Sequence, residues 1–298
     1  MTMSARFRAL LREGKFLHMP AVYDPIGGRL VQSVGFEATY VGGYVTGGSR
    51  AITEPLLTMN EQIDVAGEVA SQVEIPVIFD AGAGFGEPLH TMRTVAVAIR
   101  QGLAGLHLED QHFPKRAHYH KYHVHCAPRE EWLMKLRMAC RERDRLDPDF
   151  TIIARTDSAR TEGLDEAVDR LNAAAETGAD MGLLFPRSNA EAEAAVRRVK
   201  LPLVYVQSRG NRDGRPLFTT NQLRDMGYVA CIDAQIVLGT AFHFIRKALV
   251  ELRETGDSTL VSQEDFVVAR QQIEDVIRLD EYYAIEEETV EFGGNHAP

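Results

Sequence analysis

The chain has 298 residues, of which 45% are hydrophobic, and its formal net charge at pH 7 is -10. This length can bury one large core, and the acidic balance argues against a nucleic-acid-binding surface, which needs clustered lysine and arginine. It does not argue against an anionic small substrate, because a site's local charge can oppose the net charge. Three cysteines, Cys126, Cys140 and Cys231, share no metal-type spacing. With no signal-peptide core and no apolar run of membrane-spanning length, we expect a cytoplasmic protein.

Short apolar runs alternate with helical patterns along most of the chain. The apolar runs are Phe16–Tyr23, Ala38–Val41, Ile75–Phe79, Gly105–Leu108, Phe150–Ala154, Met181–Phe185, Leu201–Val206 and Tyr228–Ile232. Helical periodicity occurs at Met59–Ser71, Leu89–Arg100, Arg129–Arg143, Leu164–Thr177, Ala190–Val199 and Thr220–Met226. Apolar strands joined by helices indicate parallel pairing with both sheet faces buried. Eight such units predict an α/β fold of the (β/α)8 TIM-barrel type, and a doubly wound sheet is the alternative.

Two further helices are predicted after the eighth strand, at Ala234–Glu254 and Gln263–Leu279. A barrel is complete without the last of them, so this helix has to pack elsewhere, and we expect it on a neighbouring subunit. We therefore predict a catalytic barrel over residues 1–256 and a C-terminal helical extension over residues 257–298, which packs on a neighbouring subunit.

Charged side chains follow several predicted strands at their carboxyl ends, where barrel enzymes carry their sites. Asp80 ends the third strand and Glu109 the fourth, so their carboxylates can converge on one cation, and hard oxygen ligands suit Mg²⁺ or Mn²⁺. Arg155, after the fifth strand, offers a fork for a carboxylate or phosphate. The Gly42-Gly43 turn can bring backbone N–H groups to a ligand. Taken singly, Asp80 is more readily a turn or N-cap acid and Arg155 an internal ion-pair partner, but their joint placement on the ends of neighbouring strands favours a site.

The fourth strand leads into a basic, histidine-rich loop within Leu106–His125. A mobile positive loop can close over a negative substrate, and buried carboxylates beside it need a cation. The alternative is that Glu109 and Asp110, the adjacent acids at the end of this strand, cap the next helix and that the histidines are solvated. The pairs His118/His120 and His123/His125 can also bind a transition metal on an extended segment, although loop histidines are more often solvated.

Several stretches resemble the isocitrate lyase and phosphoenolpyruvate mutase superfamily, in the order of that superfamily and from about residue 18 to 235. They read PAVYDPIGGRLVQSVGFEATYVGG, IPVIFDAGAGFG, AGLHLEDQHFPKR, DFTIIARTDSARTEGLDEAVDR and PLFTTNQLRDMGY. LHLEDQ closely followed by Pro-Lys-Arg, together with IIARTD, is specific. The resemblance implies a (β/α)8 barrel, often a tetramer that exchanges its last helices between subunits, with Mg²⁺ in the site. It also implies 2-oxo or 2-hydroxy carboxylate substrates and an enolate intermediate.

The resemblance implies roles for particular residues as well. Asp80 matches the direct metal ligand, Glu109 an acid that usually acts through metal-bound water, and Arg155 a clamp on the substrate and the enolate. Gly43 and Tyr44 fall where backbone N–H groups hold a substrate carboxylate. In this arrangement the metal and Arg155 offset the negative charge that develops on the enolate oxygen.

Five positions depart from the family pattern, one of them at or near Val206, where the family carries an asparagine at the end of the seventh strand. Ala117 stands where the lyase branch carries a catalytic cysteine on the mobile loop, and Gly82 replaces the second acid after the metal aspartate. Glu54 stands where an aspartate is usual and can do similar work with a longer arm. Arg187 replaces a glutamate after the sixth strand. The pocket is therefore more positive than is usual, which suits either a substrate with an additional carboxylate, bound by Arg187, or a weaker reliance on the metal.

The missing thiol leaves proton transfer to another group, and imidazole titrates near neutral pH. His118 is the first candidate, and His120 follows. We expect the following residues to form the site: as catalytic residues Arg155, Lys115, His118 and Glu109; as substrate-binding residues Gly43, Tyr44, Asp80, Arg155 and Arg187; and as metal ligands Asp80, Glu109 and Glu54.

The function predicted from these features is a Mg²⁺-dependent carbon–carbon lyase, with Mn²⁺ as a possible substitute. It would cleave or decarboxylate a small 2-hydroxy or 2-oxo di- or tricarboxylic acid through an enolate, as a homotetramer. The first alternative is an enzyme of C–P chemistry, of the phosphoenolpyruvate mutase or phosphonopyruvate hydrolase type. The second is a barrel that has lost its chemistry and binds a metabolite, which the changes at Gly82, Ala117 and Arg187 motivate.

Overall fold

Eight parallel strands form a nearly closed barrel in a computed structural model that describes residues 1–121 and 123–290. The strands are β1 (Leu17–Pro20), β2 (Thr39–Val41), β3 (Val77–Asp80), β4 (Gly105–Glu109), β5 (Thr151–Arg155), β6 (Met181–Leu183), β7 (Leu203–Gln207) and β8 (Ala230–Asp233). From β2 to β8 each strand pairs with the next one along the chain, and β8 also pairs with β1. Between β1 and β2 a single bridge joins Ala21 to Tyr40, and the Val22 N–H donates to the Tyr40 carbonyl at 2.9 Å. The predicted (β/α)8 barrel is therefore confirmed.

Twelve α-helices lie within the described residues. They are α1 (Met3–Arg12), α2 (Pro25–Ser33), α3 (Gly43–Ser49), α4 (Met59–Gln72), α5 (Pro88–Arg100), α6 (Arg129–Leu146), α7 (Leu164–Ala175), α8 (Asn189–Arg198), α9 (Thr220–Met226), α10 (Ile236–Thr255), α11 (Gln263–Val276) and α12 (Leu279–Thr289). The six helices predicted between the strands appear as α4 to α9, and each begins within one residue of its predicted start. Helices α1 to α3 were not predicted.

Helix α2 escapes a periodicity search because it contains the pair Gly27-Gly28, and glycine is a poor helix former. Its start is nevertheless well specified: Asp24 accepts from the Gly27 N–H at 2.7 Å, and a proline occupies the first turn. A Cβ at Gly28 would lie only 2.9 Å from Val69 Cγ1 of α4. The glycine is therefore required for the close approach of α2 to α4.

The strands bury both faces, and alternate residues serve two different cores. Outward residues such as Phe79 and Ile152 pack with the surrounding helices. Inward residues such as Ile78 and Ile153 fill the barrel, and Phe7 of α1 joins this inner cluster without exposed surface. Side chains two residues apart in a strand share a face. At the carboxyl end of a strand, the residue two positions after an inward side chain therefore points into the mouth of the barrel. This periodicity positions the charged groups described below.

The chain divides into two compact units, the first of which is Met1–Thr240. The second begins at Ala241 and holds most of α10 together with α11 and α12. The helix predicted over Gln263–Leu279 appears as α11, which ends at Val276; α12 follows a turn at Arg278, whose φ is 60°, and was not predicted. The predicted domain boundary at residue 256 falls directly after α10, and the packing of the extension on a neighbouring subunit stays a prediction. Among the described residues, no helix is both long and apolar enough to cross a membrane.

Candidate active site

Three carboxylates converge at the mouth of the barrel. Asp80 ends β3, Glu109 ends β4, and Glu54 begins a 3-10 turn that follows α3. One oxygen from each lies within 4.8 Å of the other two. Among the residues that the structure describes, this is the one group of three or more histidine, cysteine, aspartate or glutamate side chains gathered so closely. The predicted metal ligands are thus brought together, whereas neither histidine pair of the loop enters such a group.

Two cations face the three carboxylates. Lys115 donates to Glu54 and, at 3.1 Å, to Glu109. Arg155 Nη2 lies 3.1 Å from Glu109 Oε2, and Arg155 Nη1 lies 3.8 Å from Asp80 Oδ2. Burial raises the pKa of Glu109 to about 7, although Lys115 and Arg155 oppose this shift. Burial also acts to raise the pKa of Asp80, but the neighbouring His107, Arg155 and Lys115 hold it below its usual range.

Asp80 is held in one orientation by the backbone. Its Oδ1 accepts from the Gly82 N–H at 2.8 Å, and its Oδ2 accepts from the Gly43 N–H at 3.2 Å. Gly43 was expected to aim its N–H at a substrate carboxylate, and here that N–H contacts the aspartate instead. A Cβ at Gly43 would lie 2.6 Å from Glu54 Cγ, so the glycine also makes room for the longer acid.

The donor set fits a hydrated hard cation. All the close ligand atoms are carboxylate oxygens, which suits Mg²⁺ or Mn²⁺. His107 Nδ1 is buried without a hydrogen bond, 3.6 Å from Asp80 Oδ1, and burial lowers the pKa of this histidine to about 4. Glu109 Oε1 also accepts no aligned hydrogen bond, although Lys115 Nζ is 3.1 Å away. Buried polar atoms without partners are costly, and waters on a bound cation would satisfy these two.

A cavity of about 160 Å³ opens beside the carboxylates. Of the predicted site residues, those that line it are Gly43, Tyr44, Glu54, Asp80 and Arg155. The predicted substrate ligand Arg187 is exposed and is not among the lining residues. The reason is local: β6 ends at Leu183, and the Arg187 N–H donates to Glu191 of α8 at 2.7 Å. The chain has therefore already turned away from the barrel mouth at this residue.

The loop after β4 reaches the site through a 3-10 turn, Ala117–Lys121. Tyr119 donates to Glu54, and His120 Nε2 lies 2.8 Å from Thr53 Oγ1. Both residues line the cavity, whereas His118 is exposed and does not. The structure thus brings the second histidine candidate to the cavity and not the first.

Three cavity arginines were missed by the sequence analysis: Arg160, Arg212 and Arg215. Arg160 lies five residues after Arg155, and the other two lie in the loop between β7 and α9. A signal was present, since the stretch SRGNRDGRP after the seventh strand holds three arginines within seven residues. A basic loop at a strand's carboxyl end in a barrel is itself a pointer to an anion site.

A family model described as phosphoenolpyruvate phosphomutase matches residues 7–253. The chain belongs to the phosphoenolpyruvate phosphomutase family. One relative, named probable 2-methylisocitrate lyase 2 of Corynebacterium glutamicum, is 32% identical and aligns over 97% of this chain and 92% of its own. The 2,3-dimethylmalate lyase of Eubacterium barkeri is 31% identical, over 96% of this chain and 98% of its own. A solved oxaloacetate acetylhydrolase with the inhibitor 3,3-difluorooxalacetate superimposes with a TM-score of 0.89 at 31% identity, over 99% of both chains.

Membership of the phosphoenolpyruvate phosphomutase family confirms the superfamily expected from the sequence motifs. Relatives in this family with lyase names align over nearly the whole chain, so the comparison covers the barrel and the helices that follow it.

Proposed function

We propose that the protein is a divalent-metal-dependent carbon–carbon lyase. It cleaves or decarboxylates a small 2-oxo or 2-hydroxy di- or tricarboxylic acid through an enolate, and Mg²⁺ is the metal we expect, with Mn²⁺ as a substitute. The observation that carries the proposal is the acidic triad of Glu54, Asp80 and Glu109, which faces Arg155 beside one cavity. Relatives named as lyases of small carboxylic acids support the class of reaction.

The triad would hold the cation, with Asp80 as the best-oriented ligand, and the bound cation would supply Lewis-acid polarisation of the substrate. Arg155 lies beside the triad with its guanidinium buried, so it can bind an oxyanion there with two parallel N–H groups. Negative charge that develops on a substrate oxygen is then offset by the Arg155 guanidinium, which is already in place. Such preorganised electrostatic stabilisation is usually a large part of catalysis.

The reaction also requires proton transfer. In an aldol-type cleavage the hydroxyl proton leaves to a base, the electrons of the C–C bond form the enolate, and the enolate carbon then takes up a proton. We assign this transfer to His120 rather than to His118, because His120 lines the cavity and is oriented by Thr53. Lys115 and Glu109 affect this proton transfer indirectly, because their ion pair sets the charge around the other two carboxylates of the triad.

The proposal is tested by a panel of 2-oxo and 2-hydroxy acids, assayed for pyruvate or glyoxylate release with Mg²⁺ and after chelation. Chelation and Asp80→Asn should each lower kcat/KM by about a thousandfold or more, since charge stabilisation at the reacting oxygen is typically worth several kcal/mol. His120→Asn should lower kcat by about 10², and His118→Asn by less than threefold. Turnover that survives chelation and Asp80→Asn would contradict the proposal. Turnover of phosphonopyruvate alone would favour C–P chemistry, and no turnover with no metal-dependent thermal shift would favour a binding protein.

A further inference from the structure

The cavity has a second cationic region, which begins at Arg155 beside the triad of Glu54, Asp80 and Glu109. Three guanidinium groups surround the ring of Phe185: the Cζ atoms of Arg155, Arg160 and Arg215 lie 5.0, 4.8 and 5.0 Å from its centroid. All four residues line the cavity. Arg155 faces the triad, whereas Arg160 belongs to the turn after β5 and Arg215 to the loop between β7 and α9.

These arginines are buried, so their charges are costly unless they are matched. The side chains of Arg160 and Arg215 are 9% and 7% exposed. Arg215 Nε lies 2.9 Å from Asp213 Oδ2, and Arg160 pairs at 3.5 Å with an Asp157 carboxylate that also pairs with Arg155 at 3.0 Å. Burial lowers the pKa of Arg160, and the neighbouring positive charges of Arg215 and Arg155 add to that shift. An additional anion at this position would offset the repulsion.

We propose that Arg160 and Arg215, which contact the same Phe185 ring as Arg155, bind a second carboxylate of the substrate, distal to the reacting carbon. This inference rests on the proposed function, because it takes the triad and Arg155 as the place of the reacting end. Each guanidinium offers five N–H donors, so a carboxylate can be bound in addition to the acids already paired. The Phe185 ring forms an apolar wall against which the short carbon chain between the two ends can pack.

The selectivity follows from the geometry. All three guanidinium groups contact one ring. The Cζ atom of Arg160 or Arg215 therefore lies no farther from the Cζ atom of Arg155 than the sum of the two Cζ-to-centroid distances, and a short dicarboxylate can span this separation. A 2-oxo monocarboxylate would leave the distal cations without this anion and should bind more weakly. The competing interpretation is that Arg160 and Arg215 only fasten the β7–α9 loop to β5 through Asp213. In that case their replacement would change stability and not ligand selectivity.

The test uses two ligands that differ only at the distal end: 3,3-difluorooxaloacetate and 3,3-difluoro-2-oxobutyrate, in which a methyl group replaces the distal carboxylate. Oxalate is the third ligand and reports the reacting end alone. Calorimetric titration with Mg²⁺ compares the full-length protein with Arg160→Gln, Arg215→Gln and the exposed control Arg197→Gln. We expect each cavity variant to raise the Kd of the dicarboxylate about 10- to 100-fold. The Kd of the other two ligands, and every Kd of the control variant, should change less than threefold.

A double variant keeps the test decisive if a single one unfolds. Asp213→Asn with Arg215→Gln removes both partners of one ion pair, so neither is left without the other; Arg160 loses its contact with Asp213 but keeps Asp157. Thermal unfolding reports whether each variant is folded. The subsite is overturned if the variants bind all three ligands equally more weakly, or if they bind none more weakly. It is also overturned if the unaltered protein binds the two fluorinated ligands equally, or if the selective loss occurs in Arg187→Gln instead. If the unaltered protein binds oxalate but shows no distal selectivity, only the subsite fails. If it binds none of the three with Mg²⁺, the proposed function fails with it.

Discussion

Five charged side chains, Glu54, Asp80, Glu109, Lys115 and Arg155, share a volume from which water is largely excluded, and each is 10% exposed or less. Three are acids and two are bases, so the group lacks one positive charge when all are ionised. Removing one partner from such a set leaves another buried charge unmatched and typically costs several kcal/mol. The same deficit is what attracts a divalent cation, and stability and metal binding therefore depend on the same atoms.

Asp157, which links Arg155 and Arg160, allows a pH prediction. Burial acts to raise its pKa, but Arg155 and Arg160 lower it to about 2. An acid whose pKa is lower in the folded state stabilises the fold above its unfolded pKa of about 3.9, and this stability, of order 2 kcal/mol, is lost as the pH falls towards 2. We expect Asp157→Asn to lower the Tm at pH 7 and the difference from the unaltered protein to shrink below pH 4. Calorimetry between pH 2.5 and 7 measures this, and a difference that does not change with pH would contradict it.

Cys126 is the one cysteine on the segment that follows the site loop, and its chemistry can be predicted from its surroundings. Its thiol lies 3.6 Å from Asp110 Oδ1, and burial, with the added negative charge of Asp110, raises its pKa well above the usual range. A thiol that does not ionise is a poor nucleophile and a poor base. We expect Cys126→Ser to change kcat/KM less than threefold, and iodoacetamide to label Cys126 only after unfolding. Rapid labelling of the native protein, with loss of activity, would show that this thiol replaces the missing loop cysteine.

At the scale of elements, the loop after β4 is tied to the turn that begins at Glu54. Lys115 and Tyr119 both donate to that carboxylate. We expect Glu54→Ala to speed hydrogen exchange of the 115–121 peptide by about tenfold, since each lost hydrogen bond to a charged group is worth roughly 1.5 kcal/mol or more. Mass spectrometry after deuterium labelling measures it, with Glu68→Ala, an exposed change on α4, as the control. If exchange of this peptide is the same in both variants, Glu54 does not anchor the loop.

The strands and the helices between them could be predicted from the sequence because their periodicity is strong. The same pattern located the carboxyl ends of β3, β4 and β5, and so Asp80, Glu109 and Arg155 were found. Loops carry no such periodicity. The apolar run of the sixth strand continues two residues beyond β6, to Phe185, and this extension led to the expectation that Arg187 faces the site. The turn that selects His120 over His118 cannot be derived from spacing either.

At the scale of the whole molecule, the helices from α10 onward leave many apolar side chains exposed. None of the residues of α10, α11 or α12 is buried, although several are large and apolar. Those at least half exposed include Phe242, Phe244, Ile245, Leu249, Phe266, Val267, Val268, Ile273, Tyr282, Tyr283 and Ile285. Exposed apolar surface on this scale is rare in monomers and marks an interface. A second copy of the chain is the partner that is always present at matching concentration.

We therefore predict that the protein is a homo-oligomer, a tetramer by the expectation from its sequence, and that α11 contributes to the interface. Phe266→Glu places a charge on a side chain that is 61% exposed in the single chain, and burying that charge without a partner would cost several kcal/mol in an assembly. We expect this variant to sediment as a smaller species than the unaltered protein. Ser71→Glu, which adds the same charge at an exposed position of α4, should keep the original mass. Sedimentation velocity at several concentrations measures both. A monomeric unaltered protein, or a Phe266→Glu variant with unchanged mass, would show that α11 faces solvent, and its apolar side chains would then need a different partner.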